Sequence, residues 1–189
     1  FLNPAVCKIR WILKDGGDEN KDFQVLSIPM ITAVEKFAHL VRNTNYTYTI
    51  QDNMFPESMR RYDVFTLREP LCNAIAHQDY TKAARIEVVE YEDEKLIFRN
   101  YGQFLPSSVE DVVERDFPES RYRNRALVEA MRNVKMVETE GGGIKKLYVQ
   151  QKKRFFPMPI YDTSNEMVKC EIRGRVLDEN FARILVNNP

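Results

Sequence analysis

The chain has 189 residues, 28 Lys and Arg against 28 Asp and Glu, and a hydrophobic fraction of 43%. That length suits one domain, or one domain with an appendage. The composition excludes a disordered or collagen-like chain. No apolar run reaches the roughly 20 residues that a membrane-spanning helix needs. A net charge of zero removes the simplest argument for a nucleic-acid-binding domain, which is a strong excess of basic residues. The sequence opens at Phe1 with no signal-peptide pattern, and the missing initiator Met suggests a piece of a longer protein. Cys7, Cys72 and Cys170 are odd in number and far apart, with no CxxC pair. Neither a disulfide framework nor a zinc site is expected from them, and reduced thiols in a cytoplasmic protein are.

In chain order, residues 5–13 are apolar and β-branched enough for a strand, and Asp15-Gly16-Gly17-Asp18 makes a turn. Residues 24–41 read as a helix, with Ser27 as cap, Pro29 in the first turn, and Met30, Val34, Phe37 and Val41 at helical spacing. Tyr46, Tyr48 and Ile50 alternate with Thr47 and Thr49, the pattern of a half-buried strand. Residues 52–61, with Pro56, read as an irregular connection. Asp63 is placed to cap a helix whose buried stripe is Val64, Leu67, Leu71 and Ile75, and Pro70 inside it should bend or split it.

Residues 85–91 and 95–99 are expected to form a hairpin around Glu92-Asp93-Glu94. A loop over 100–106 leads to a short helix capped by Ser107 or Ser108 and ending near Arg115. Asn124 is placed to cap a longer helix ending near Asn133. After Gly141-Gly142-Gly143, helical spacing runs from Ile144 to about Lys153. Strands are expected at 158–161 and 167–176, then a helix start at Asp178. Hairpins and helices in blocks make the fold class α+β.

Three features carry candidate chemistry. Glu69, Asn73 and His77 are spaced i, i+4, i+8, so they drift about 80° around a helix and share a face distinct from that of Leu67, Leu71 and Ile75. A carboxylate, an amide and an imidazole in line suit an ion and a water, and they equally suit the exposed polar face of an amphipathic helix. The triplet Gly141-Gly142-Gly143 before Ile144-Lys145-Lys146 lets backbone N–H groups approach a phosphate at a helix start, or is a flexible turn. It does not match GxxxxGK[ST], which argues against a Walker-type motor. Arg99-Asn100-Tyr101-Gly102 ends a strand, either as a turn or as a polar group on a rigid edge.

Taken together and in order, these segments resemble a bacterial family. LREPLCNAIAHQDY at 67–80 is similar to the motif LREALVNALVHRDY of the RecG-related family, labelled "ATP-dependent DNA helicase, C-terminal". KLIFRNYGQFLP at 95–106 resembles its next block, where a strand ends in Asn-Pro-Gly and a Leu-Pro follows. SRYRNRALVEAMRNVKMVETEGGGIKKL at 120–147 resembles the third, an Arg-Asn before a helix, then an acidic residue and Gly-x-Gly-Ile. The family carries the nucleotide-binding fold of gyrase, MutL, heat-shock chaperones and histidine kinases, known as the GHKL or Bergerat type. The resemblance implies a two-layer α/β sandwich with a mixed sheet and helices on one face.

It also implies a division of the chain. Residues 1–60 would join from a preceding Schlafen/Alba-type domain, 61–176 would form the ATPase-like domain, and 177–189 would start a linker towards a winged helix. Carried across residue by residue, the resemblance makes Glu69 the carboxylate that takes a proton from the attacking water and Asn73 the Mg²⁺-binding amide. Asn100 falls at the position that recognises the adenine amino group, where the superfamily has Asp, and Gly102 at the glycine after it. Gly141, Gly142 and Gly143 match the second glycine box beside the phosphates. His77 and Asp79 belong to the family's own motif. Tyr101 stands where the family has Pro, and Pro70 where it has Ala.

Two functions follow as expectations. One is an ATP- and Mg²⁺-binding module of a DNA-binding transcriptional regulator, with slow hydrolysis at most and no helicase motor. The other is a degenerate scaffold or homodimerisation domain of the same kind of regulator. In both, flanking domains contact DNA, no membrane is involved, and the basic clusters at 121–125 and 152–154 are solvated surface.

Overall fold

A computed structural model describes residues 8–45, 47–50, 57–115, 121–137, 142–154 and 156–175. The chain opens with β1 (Ile9–Lys14) and β2 (Asn20–Leu26), an antiparallel pair joined through the expected turn at Asp15–Asp18. Then follow α1 (Met30–Leu40), the small hairpin β3 (Thr47–Ile50) and β4 (Glu57–Arg60), and α2 (Val64–His77). The hairpin β5 (Ile86–Tyr91) and β6 (Lys95–Tyr101) leads to α3 (Val109–Glu114), α4 (Arg125–Asn133) and α5 (Gly143–Lys153). The last pair is β7 (Ile160–Asp162) and β8 (Met167–Arg173).

Six strands form one mixed sheet in the order β2-β1-β5-β6-β8-β7. Only β1 and β5 run parallel, so the chain between them crosses over carrying α1, β3–β4 and α2. Strands β1 and β2 of the segment 1–60 therefore enter the same sheet as the strands that follow it, while β3 and β4 form a separate two-stranded sheet. Alternation decides which face holds the core: Ile9, Trp11 and Leu13 on β1, Ile86 and Val88 on β5, and Leu96 and Phe98 on β6 are all buried. They share one cluster with Phe37 of α1, Leu67, Leu71 and Ile75 of α2, Met131 of α4 and Leu147 of α5. Phe37 meets Phe98 edge-on at 6.0 Å between centroids. The α+β expectation with a mixed sheet is met.

Several local expectations need correction. Residues 24–26 are the end of β2, and the helix starts only at Met30, with Pro29 at the N-cap. The run Asn-Lys-Asp-Phe-Gln-Val-Leu has little apolar signal because β2 is an edge strand exposed over most of its length. Residues 57–60 are a strand, where an irregular connection was expected. Val64 is 68% exposed, since it begins α2 before the helix reaches the core. Pro70 does not split α2: it is buried, and the helix continues through it to His77. Asn100 and Tyr101 still belong to β6. The readings at 5–7, Tyr46, 52–56, Gly141 and from Val176 onward lie outside the described residues.

Candidate functional site

The start of α2 is set by Asp63, whose carboxylate accepts the Thr66 N–H at 2.7 Å. From that start, Glu69, Asn73 and His77 follow at one-turn intervals and all three line one cavity of about 360 Å³. Glu69 is only 7% exposed. Asn73 Nδ2 donates to Glu69 Oε1 at 2.9 Å, so the carboxylate and the amide form a unit along the helix. A Cβ on Gly143 would collide with the Glu69 carboxylate, which therefore packs against the first residue of α5. Positive dipole density at a helix start favours a carboxylate there.

The opposite wall comes from the sheet. Asn100, 5% exposed, stands on the core face of β6 after Phe98 and pairs across to Val168 of β8. Its Nδ2 makes a long 3.3 Å contact to Tyr101 O. Tyr101, next along the strand, points to the other face and does not line the cavity. Gly142, in a left-handed conformation at the N-cap of α5, and Gly143 complete this side with Lys145 and Lys146. The two lysines thus face the cavity.

Asp79 and Gly102 do not line the cavity. Asp79 accepts from Thr81 N and Thr81 Oγ1 and sits 3.8 Å from Arg123, and the Thr81 hydroxyl is the chief cause holding its carboxyl below the usual range. Gly102 has φ +123, and a side chain there would press on Arg123 Nε and His77 O, so this position needs glycine for space and conformation. Both residues support the junction between the α2 C-terminus and the end of β6, where Asp79 N donates to Tyr101 O at 2.7 Å. Gln78 reinforces it, fully buried, accepting from Tyr101 N and donating to Ala84 O.

Sequence reasoning missed the third wall. Tyr122 lines the cavity and stacks on His77, with centroids 6.1 Å apart and 23° between planes. Arg132 of α4 lies over the Tyr122 ring and donates to its hydroxyl at 3.0 Å. Arg115, at the C-cap of α3, also lines the cavity, and Phe104, Leu105 and Pro106 add an apolar rim. The basic cluster at 121–125 is thus not plain solvated surface: Arg123 binds Gln103 O and approaches Asp79, while Tyr122 enters the cavity. In the other cluster, Arg154 stacks on Phe156 and sits 3.6 Å from Asp63. The interleaved aromatic and basic residues of Arg-Tyr-Arg-Asn-Arg were the available signal.

Among the described wall residues Glu69 is the one carboxylate, against Arg115, Arg132, Lys145 and Lys146. The described wall is therefore cationic with an apolar floor, which suits an anionic ligand bearing a flat apolar part. Cys170 on the floor is buried and burial pushes its thiol up to about 12, so it is no nucleophile; Cys72 is equally buried and raised. No group of three or more His, Cys, Asp or Glu among the described residues could hold a metal on its own.

A mixed sheet covered on one face by helices, with a cavity between an Asn-bearing helix and a glycine start, defines an α+β fold of the GHKL ATPase type. Residues 84–172 match the family model described as "Putative ATP-dependent DNA helicase recG C-terminal". The crystal structure of the DIP2311 protein from Corynebacterium diphtheriae has the same fold, with a TM-score of 0.77 and 19% identity. That alignment covers 92% of this chain and 36% of the DIP2311 chain. A comparison with curated proteins found no match.

Proposed function

We propose that the chain is an ATP- and Mg²⁺-binding module of a cytoplasmic, DNA-binding bacterial transcriptional regulator whose DNA contacts come from flanking domains. The observation that carries this reading is the convergence of Glu69, Asn73 and His77 of α2, Asn100 of β6 and Gly142–Gly143 of α5 on one cationic cavity. Its volume of about 360 Å³ is within the range of small-molecule sites. The donor chemistry also suits Mg²⁺, which takes one or two protein oxygens and completes its shell with water and phosphate oxygens. Asn73 would hold the ion through its amide oxygen, because its Nδ2 is engaged by Glu69. When bound, Mg²⁺ neutralises phosphate charge.

The chain's own residues do the rest. Lys145, Lys146 and the Gly143 N–H region orient phosphates, while Asn100 meets the base edge through a neutral amide. Glu69 Oε2, the oxygen not engaged by Asn73, takes the proton of an attacking water. Hydrolysis by this arrangement is slow, since Glu69 is nearly sealed from solvent. Calorimetric titration of the chain with ATP and Mg²⁺, with ADP and GTP as controls, tests the reading. Saturable, Mg²⁺-dependent binding is expected, Asn73→Ala should weaken it, and Glu69→Ala should abolish turnover while sparing binding. Absence of binding at millimolar ATP removes the proposal.

A second reading has its own support. Asn100 cannot make the charge-assisted bond to an amino group that an Asp makes, and the Glu69 carboxylate already packs on the α5 start where a phosphate would approach. A scaffold or homodimerisation domain that retains only the fold accounts for both.

A further inference from the structure

The chemistry of the third wall is not absorbed by the roles above. Arg132 makes no ion pair with any described residue, and its Nε is shut off from solvent with no hydrogen-bond partner. Among the described residues its only polar contact is the neutral Tyr122 hydroxyl at 3.0 Å, and its remaining compensation is the Tyr122 ring beneath it. Arg132 is half-buried, and its sealed Nε is a polar group left unsatisfied that an anion in the cavity would complete. Arg132 and Tyr122 both line the cavity, so that anion has access. The planar guanidinium, stacked and oriented by Tyr122, is preorganised for two parallel bonds to a phosphoryl group.

Its place in the cavity is defined by α2. Glu69 abuts Gly143, whereas Tyr122 stacks on His77, two turns and about 12 Å further along the helix. The Tyr122–Arg132 pair therefore stands at the opposite end of the cavity from the glycine start of α5. We infer that Arg132, held by Tyr122, is an anion-binding residue of the cavity, and that it takes a phosphoryl group of the ligand at the His77 end. This rests on the cavity being a ligand site, as proposed above, and not on the ligand being ATP; a phosphoryl group at the His77 end lies about 12 Å from the glycine start and so stands as an alternative to placing the phosphates there.

The test is calorimetry on the 189-residue chain with three probes: ADP, adenosine and inorganic pyrophosphate. Wild type, Arg132→Gln, Arg132→Lys and Tyr122→Phe are compared, each first checked for a native circular dichroism spectrum. The expected result is a loss of tenfold or more in ADP and pyrophosphate affinity for Arg132→Gln, with adenosine unchanged. Arg132→Lys should recover part of it, and Tyr122→Phe should show a smaller loss confined to the phosphorylated probes. If Arg132→Gln fails to fold, the Arg132→Lys and Tyr122→Phe comparison decides alone. Equal binding of ADP and pyrophosphate by wild type and variants overturns the inference while leaving the ATP reading intact. A loss that is equal for adenosine also overturns it, because the residue would then act through packing. Pyrophosphate bound through Arg132 without any adenine compound supports the inference and removes the ATP reading. Binding of none of the three at millimolar concentration overturns both.

Discussion

At Gly143 the constraint is space: the position where a side chain would start is filled by the Glu69 carboxylate. Gly143→Ala should therefore destabilise the chain by about 1–3 kcal/mol, the range for overpacking a tight site. In a Glu69→Ala background most of that penalty should vanish, and urea unfolding of the four proteins of the cycle measures it. A glycine triplet in the sequence points to flexibility or to phosphate; that a carboxylate 74 residues earlier requires one of the three glycines is visible only in the fold. Glu90 makes the same point. It is fully buried, accepts from Trp11 Nε1 at 2.9 Å and Asn43 N at 2.6 Å, and nothing in the hairpin pattern marks it. Burial raises its pKa against those two hydrogen bonds. The folded pKa thus lies above the unfolded value of about 4.3. The stability it contributes is full below that value and is lost as pH rises through the folded pKa. The stability of wild type relative to Glu90→Gln should accordingly fall between about pH 4 and neutrality, which urea unfolding at both ends checks.

Among the elements, α2 was the most legible, because its cap, its apolar stripe and its polar face are all local in sequence. Its C-terminus was not. Asn124, which has the residue type of a cap, makes no capping bond to α4; its Nδ2 donates instead to Ala76 O and Gln78 O, at 3.0 and 2.8 Å. Open carbonyls at a helix end are satisfied here by a residue nearly fifty positions away. Asn124→Ala should cost about 1–3 kcal/mol by leaving both carbonyls unpaired. Asn124→Asp should cost more, since a carboxylate would face two carbonyl oxygens. Chemical denaturation of the two variants tests the order. β2 and β4 escaped sequence reading for a related reason. Their pairing to β1 and β3 makes them strands, and neither carries the alternation that a buried face imposes.

For the whole molecule, the parallel pairing of β1 with β5 sends the intervening chain across one face of the sheet, and so lays α2 over β6. That placement brings Asn100 opposite Glu69 and Asn73. The later packing of α5 beside α2 delivers Gly142, Gly143 and the lysines to the same space. The amino-acid sequence by itself determined the α+β class, the cap at Asp63, a cap at Ser107 or Ser108, the central hairpin and the three motif blocks, because each rests on residues a few positions apart. Only the tertiary structure decided that six of the nine candidate residues share a cavity, that Asp79 and Gly102 support it from outside, and that Tyr122 and Arg132 form its third wall. Cavity walls are made by side chains distant in sequence, and their meeting is a property of how the sheet and helices pack rather than of any local pattern.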